Sequence, residues 1–182
     1  MIEVKINGLF LTQSQASGVI LKEIKGNRTL PIIIGEYEAQ SIALGLENIT
    51  PPRPITHDLT LNLLETLTAH IERIVVTELK NNTYYAEIHL RMKARLFQVD
   101  SRPSDAIALA VRRKIPIFVT EDVMNKGAYT ADEIKDVEES KLNLGENKLE
   151  KLRSELQEAV EKEDYEKAAK IRDEIKKLES RQ

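Results

Sequence analysis

Val99-Asp100-Ser101-Arg102-Pro103-Ser104-Asp105-Ala106-Ile107-Ala108-Leu109-Ala110-Val111-Arg112 decides what fold this chain can adopt. The stretch reads as the end of a strand running directly into a helix. Pro103 suits the first helical position, where a missing N–H leaves no hydrogen bond unmade. Asp100, Ser101 and Ser104 can each accept from the N–H groups that the first turn leaves free. Asp105 sets a negative charge against the positive end of the helix dipole. Ala106, Ile107, Leu109, Ala110 and Val111 then give a nearly all-apolar helix, which has to be buried. Arg102 stands against this pattern. The dipole disfavours a cation at a helix N-terminus, so either a carboxylate of the protein or an anionic ligand must hold it.

Around this centre the chain alternates between strand and helix patterns. Glu3 to Thr12 alternates apolar and polar residues, as a half-buried strand does. Val19 to Ile24 and Thr29 to Ile34 read as two more strands, and the unbroken Ile32-Ile33-Ile34 run predicts one covered on both faces. Glu36 to Asn48 has Ala39, Ile42, Ala43 and Leu46 at helical spacing. Pro51-Pro52-Arg53-Pro54 excludes helix and predicts a stiff loop. A second helix, capped by Thr56 or Asp58, is expected to run through Leu59, Leu63, Leu64 and Leu67 and to end at about His70. Ile71 to Lys80, an Asn81-Asn82 turn and Thr83 to Leu90 form a hairpin pattern, in which His89 faces outward. Arg95 to Val99 and Ile117 to Val119 complete the strands, and Val123-Met124 suits one further helical turn. Strands and helices in this order predict an α+β fold, a mixed β-sheet packed with about three helices.

The chain has 182 residues and no cysteine, a net charge of -3, 41% apolar and 31% charged residues. Disulfides and thiolate metal sites are therefore excluded, and a reducing, cytoplasmic setting is expected. No apolar run approaches the ~20 residues of a membrane span, and Met1-Ile2-Glu3-Val4-Lys5 alternates like a strand rather than a signal peptide. The acidic balance argues against an extended basic surface for nucleic acid. Composition changes near Glu146, beyond which Gly and Pro are absent. Leu149, Leu152, Leu156, Ala159 and Val160 form one stripe, and Ala168, Ala169, Ile171, Ile175 and Leu178 another. An acidic break at Glu163-Asp164-Tyr165 separates them, which predicts an antiparallel helical hairpin. The expected organisation is a domain over residues 1–130, a linker over 131–145 and the hairpin over 146–182.

Polar residues concentrate at element ends: Gly35 to Glu38, Pro52 to Asp58, Asp100 to Asp105 and Glu121-Asp122. Such ends often share one rim of a sheet, where sites form. Glu38, Asp58, Asp100 and Asp105 are the candidate ligands for a hard divalent ion, Mg²⁺ or Mn²⁺. Arg53, Arg102 and Ser104 are candidates for holding a phosphate, which a planar guanidinium grips with two parallel bonds. His57, Asp58, Arg102 and Asp105 are the candidate catalytic residues, with His57 or Asp105 accepting the proton of an attacking water. The alternative is structural: the acids complement helix dipoles, and Arg102 makes an ion pair that pins helix ends. No P-loop, G-x-G-x-x-G or H-E-x-x-H pattern is present, and no Ser-His-Asp order stands out.

Three motifs carry a resemblance. Leu30-Pro31-Ile32-Ile33-Ile34-Gly35 with Glu38-Ala39, Pro52-Arg53-Pro54 with Thr56-His57-Asp58-Leu59, and Asp100 through Ala110 together resemble the bifunctional nuclease domain family over roughly residues 1–130. The resemblance implies an α+β fold, hydrolysis of both DNA and RNA, and self-association; it carries no catalytic assignment. Leu152-Arg153-Ser154-Glu155-Leu156, Glu163 through Ala169 and Ile171 through Ile175 resemble the UVR motif, the helical hairpin at which the excision-repair proteins UvrB and UvrC meet. That likeness implies a protein partner for residues 146–182. The two functions to be weighed are a nuclease of low sequence specificity recruited through the hairpin, and a non-catalytic interaction or regulatory module with structural polar motifs.

Overall fold

The structure, a computed structural model, describes residues 1–12 and 15–130. Met1–Ala131 form one compact unit and Asp132–Gln182 a second; the predicted linker and hairpin lie outside the described residues. Among the described residues seven strands and four helices follow in the order β1 (Ile2–Leu11), β2 (Ser17–Glu23), β3 (Thr29–Ile34), α1 (Glu36–Leu46), α2 (Thr56–Thr66), β4 (Ala69–Lys80), β5 (Thr83–Met92), β6 (Arg95–Ser101), α3 (Pro103–Arg113), β7 (Ile117–Val119) and α4 (Glu121–Gly127). This is α+β with a mixed sheet, as expected, and with one helix more than the three predicted. The turn at Val123-Met124 is the core of α4, closed by the Thr120 side chain, which accepts from the Val123 N–H.

The sheet order is β3-β2-β1-β7-β4-β5-β6. Two antiparallel three-stranded meanders are thereby joined by the shortest strand. β7 pairs antiparallel with β1 and parallel with β4, which makes the sheet mixed. Asn81 and Asn82 take the positive φ values (49° and 58°) of a two-residue hairpin turn. Gly8 has φ 137° at the register shift in β1, a conformation that a residue with a side chain rarely adopts. Alternate residues of the strands, among them Val19, Leu21, Leu30, Ile32, Ile74, Val76, Ala86 and Ile88, form one core with Ile42, Leu61, Val123 and Met124 of the helices. At the centre of that core lies α3, its Ala106 to Ala110 segment fully enclosed. The apolar run after Asp105 therefore means what its composition says.

Several local expectations are corrected. His70 belongs to β4: α2 stops at Thr66, and Thr68 takes a left-handed conformation, φ 58°. His89 is buried rather than outward-facing. Its Nδ1 accepts from Arg73 Nε at 3.2 Å, and its Nε2 lies 3.2 Å from Glu87 Oε2. It stands opposite Arg73 in the β4–β5 ladder, so long charged side chains cover it, a tertiary effect that alternation cannot reveal. Ile33 is exposed, so the Ile32-Ile33-Ile34 run is covered on one face only. Asp100 and Ser101 lie within β6, and the cap of α3 is Arg102.

Arg28 ties the β2–β3 turn to α4. Its Nε donates to Glu23 Oε2 at 3.0 Å, and its Nη1 to Glu121 Oε1 and Asn125 Oδ1 at 2.9 and 3.0 Å. The hydrogen bonds from Arg28 hold the Glu23 carboxyl below the usual carboxylate range, against the opposing effect of burial. The folded value thus lies below the unfolded one. Glu23 then contributes stability above its unfolded value, and that stability is lost as pH falls through the folded one. Arg28→Ala is expected to cost about 1 kcal/mol near neutral pH and less near pH 3, below the ordinary carboxylate range in which the unfolded Glu23 takes up its proton. Urea unfolding at the two pH values checks this; an equal loss at both would mean the Glu23 pair is not its source.

Candidate functional site

Three helices begin at one rim of the sheet, and each has a carboxylate as its third residue: Glu38 in α1, Asp58 in α2 and Asp105 in α3. In none of the three helices does the N-cap side chain accept from a backbone N–H of the first turn. The third-position acids therefore face free N–H groups and the positive ends of three dipoles. Gly35 caps α1, and a Cβ there would run into the Glu38 carboxylate, so the absence of a side chain lets that acid fold back over the helix start. Asp58 Oδ2 accepts from the Ile55 N–H at 3.1 Å. Ile55, rather than Thr56 or Asp58, is the cap residue of α2.

Two arginines link the acids. Arg102 Nη1 donates to Glu38 Oε1 at 2.9 Å, its Nε to Asp105 Oδ2 at 2.8 Å and its Nη2 to Asp105 Oδ1 at 3.2 Å. The bidentate bond to Asp105, and then Glu38, push the Arg102 guanidinium's affinity for its proton above the ordinary value. A cation at the start of α3 is thus held by two protein carboxylates. Its side chain nevertheless remains 65% exposed. Arg112, by contrast, is 9% exposed. It donates from Nε to Asp58 Oδ1 at 2.8 Å, from Nη1 to the Ser41 and Ala108 carbonyls at 3.1 and 2.6 Å, and from Nη2 to Ser41 Oγ at 3.1 Å.

His57 joins the two clusters. Its Nδ1 lies 2.9 Å from Ser41 Oγ and its Nε2 3.4 Å from Asp105 Oδ1. A continuous path of side chains therefore runs Glu38–Arg102–Asp105–His57–Ser41–Arg112–Asp58. Of the residues named from the sequence, Glu38, His57, Arg102 and Asp105 come together directly, and Asp58 lies at the far end of the path. Ser104 is buried in the first turn of α3 and, with Arg102, Gly35, Ile33 and Asn82, lines a cavity of about 300 Å³. Arg53 is exposed on the loop between α1 and α2, and Asp100 is exposed opposite Glu87 in the β5–β6 ladder; neither joins the network. Among the described residues no three His, Cys, Asp or Glu side chains assemble as a metal site. The four carboxylates expected to share an ion are divided between two arginines and a strand, so they form no common cage for Mg²⁺ or Mn²⁺. Ser41 and Arg112 were not singled out in the sequence. The only local sign is Ser41 among Ala39, Ile42 and Ala43 in α1. A larger cavity, about 430 Å³, opens on the opposite side of Asp58 and Arg112 against Pro51, Pro52 and Pro54.

Comparison with known proteins bears on this rim directly. The model of the bifunctional nuclease domain matches residues 19–132, which include every residue of the path. The chain belongs to the bifunctional nuclease domain family. The UvrB/UvrC motif matches residues 146–181. An uncharacterized protein of Mycobacterium tuberculosis is 35% identical over 166 residues, 91% of this chain and 98% of its own length. Bifunctional nuclease 2 of Arabidopsis thaliana is 26% identical over 190 residues, spanning 91% of this chain and 56% of the plant protein. Bifunctional nuclease 1 of Oryza sativa subsp. indica is 29% identical over 109 residues, 58% of this chain and 33% of the rice protein. This bifunctional nuclease domain chain therefore spans only a third to about half of the plant relatives. Among the described residues no helix is long and apolar enough to cross a membrane.

Proposed function

We propose that this protein is a nuclease that hydrolyses phosphodiester bonds of DNA and RNA with low sequence specificity. Family membership and the names of the plant relatives support the reaction class. The observation that carries the reading is Arg102, an exposed guanidinium on a rim where three helices begin. Helix starts favour phosphate through their free N–H groups and dipoles, and a guanidinium fork matches two phosphate oxygens. Tyr37, 83% exposed and one residue before Glu38, offers an aromatic face to an unpaired base. In this reading Arg102 holds the scissile phosphate with Ser104 beside it. Asp105 takes the proton of the attacking water while that oxygen bonds to phosphorus and the bond to the leaving oxygen breaks. His57 acts behind Asp105, and Asp58 acts further back by holding Arg112. Arg53 meets a neighbouring phosphate of the strand. The acidic net charge makes this contact local and salt-sensitive.

The proposal includes a protein partner for residues 146–182 as a helical hairpin joined to a domain over 1–130 by a linker over 131–145. It also includes a cytoplasmic setting and self-association, for which the exposed Leu59, Leu63 and Leu67 of α2 and its C-cap would serve. A second reading is favoured by one observation: each third-position acid already has an arginine. The motifs would then be structural and the chain a non-catalytic interaction module.

The deciding experiment assays purified full-length protein on single-stranded DNA, duplex DNA and RNA, with Mg²⁺, Mn²⁺ or EDTA. A divalent ion belongs in the assay because Mg²⁺ is commonly held by one or two carboxylates together with substrate phosphates, Glu38 and Asp105 being the acids to vary. Asp105→Asn and His57→Ala proteins of native circular dichroism run alongside. Cleavage of all three substrates is expected, with a loss of roughly 100-fold or more for Asp105→Asn. Equal activity in wild type and both variants would remove the reaction from this rim, and inactivity of the wild type would leave the interaction module.

A further inference from the structure

The deepest part of the path is Arg112 and Ser41, and Ser41 has no part in the reaction as described. Arginine has only donors and does not lose its proton in proteins. Ser41 Oγ, 6% exposed as a residue, must therefore accept from Arg112 Nη2 at 3.1 Å. The hydroxyl has a single hydrogen, and His57 Nδ1 lies 2.9 Å away. Oγ has a second lone pair that could accept from an Nδ1–H, but among the described residues Nδ1 is the one acceptor bonded to this buried hydroxyl, so its hydrogen goes to Nδ1, which then accepts. In the neutral ring the remaining hydrogen is on Nε2, the nitrogen 3.4 Å from Asp105 Oδ1. Satisfying the buried hydroxyl hydrogen thus selects the order of protons from the buried end outward. The ring itself is 15% exposed, Asp105 34% and Arg102 65%, and the series runs from core to solvent.

We propose that Ser41, anchored by Arg112, is a positioning residue that holds the His57 ring by Nδ1 and keeps its Nε2–H directed at Asp105. Asp105 Oδ1 then has the Nε2–H 3.4 Å behind it, and Arg102 spans both oxygens from the front. The carboxylate is held in one rotamer at the rim. The consequence for catalysis rests on Asp105 being the base of the proposed nuclease; the hydrogen-bond order does not.

The two parts are tested separately. Nitrogen-15 NMR of full-length protein, with His57→Gln to assign the ring, should show a hydrogen-bonded, unprotonated Nδ1 and a protonated Nε2. Ser41→Ala adds no atoms and should fold; its Nδ1 resonance is expected to move to the position of a nitrogen without a donor, and Ser41→Thr, which keeps the hydroxyl, to restore it. In the nuclease assay Ser41→Ala should lower kcat by roughly ten- to a hundred-fold with KM unchanged, and Ser41→Thr should recover most of it. A protonated Nδ1 in wild type, or an unchanged Nδ1 in Ser41→Ala, overturns the hydrogen-bond order. A shifted Nδ1 with full activity, where Arg102 variants are inactive, overturns the positioning role and leaves the nuclease reading intact. A wild type without nuclease activity overturns that reading and the kinetic half of this one, while the NMR result still decides the structural half.

Discussion

An Arg112→Met protein is expected to lose about 3–5 kcal/mol of folding stability. Methionine can fill the volume of the aliphatic stem but supplies none of the donors. Arg112 satisfies Asp58 Oδ1, the Ser41 and Ala108 carbonyls and Ser41 Oγ. Without it Asp58 is a partly buried carboxylate whose partner has gone, and two carbonyls between α1 and α3 lose their shared donor. The cost of an uncompensated charge exceeds the net worth of the pair that neutralised it, so removing one partner is far worse than removing both. Asp58→Asn in the Arg112→Met background is therefore expected to restore part of the loss, a coupling a double-mutant cycle reads directly. Urea unfolding of the four proteins provides the numbers, provided the dependence on denaturant stays the same across them. A loss below about 1 kcal/mol, the range of surface pairs, would mean that the interior of this path contributes little to the fold.

Arg102→Met has the opposite profile. The side chain is 65% exposed, so stability should change by no more than about 1 kcal/mol. Activity should fall by roughly 10²–10³-fold, the usual consequence of deleting one preorganised donor to a charge that develops in the reaction. Arg102→Lys is expected to recover only part, because an ammonium supplies the charge without the fork that spans Asp105 and a phosphate together. The measurement is the rate on single-stranded DNA and RNA beside unfolding curves of the same preparations. Full activity in Arg102→Met would remove the phosphate clamp from the proposal, and a large loss of stability would show the arginine to be a structural pin instead.

Much of this molecule was legible in short stretches. The Pro103 start, the acid at Asp105 and the apolar run that follows give α3 and its burial. The Asn81-Asn82 pair gives the hairpin, and the prolines at 51, 52 and 54 give the loop. Helix-start chemistry and turn chemistry act over three or four residues, so a sequence displays them in place. Local pattern fails where the tertiary surroundings override it. His89 is covered by Arg73 from across the β4–β5 ladder, with Glu87 beside it on β5, and Ile33 sits on a face to which no residue of the core is assigned.

The candidate site divides the same way. Arg102 could be recognised as a cation that needed an anion, and the acids at the starts of three helices were visible one by one. Which acids it would hold was not. Glu38 is 64 residues away from it, and Arg112 reaches Ser41 across 71. Such pairings depend on β7 entering between β1 and β4, which brings the two meanders side by side and sets α1, α2 and α3 start to start. The elements, the α+β class and the residue types available at the rim follow from local propensity and hydrophobic period, which any stretch of the chain displays in place. Tertiary structure alone decided that Ser41 and His57 would meet, and that four candidate ligands would be divided rather than gathered, because contacts between distant residues arise only when the sheet closes.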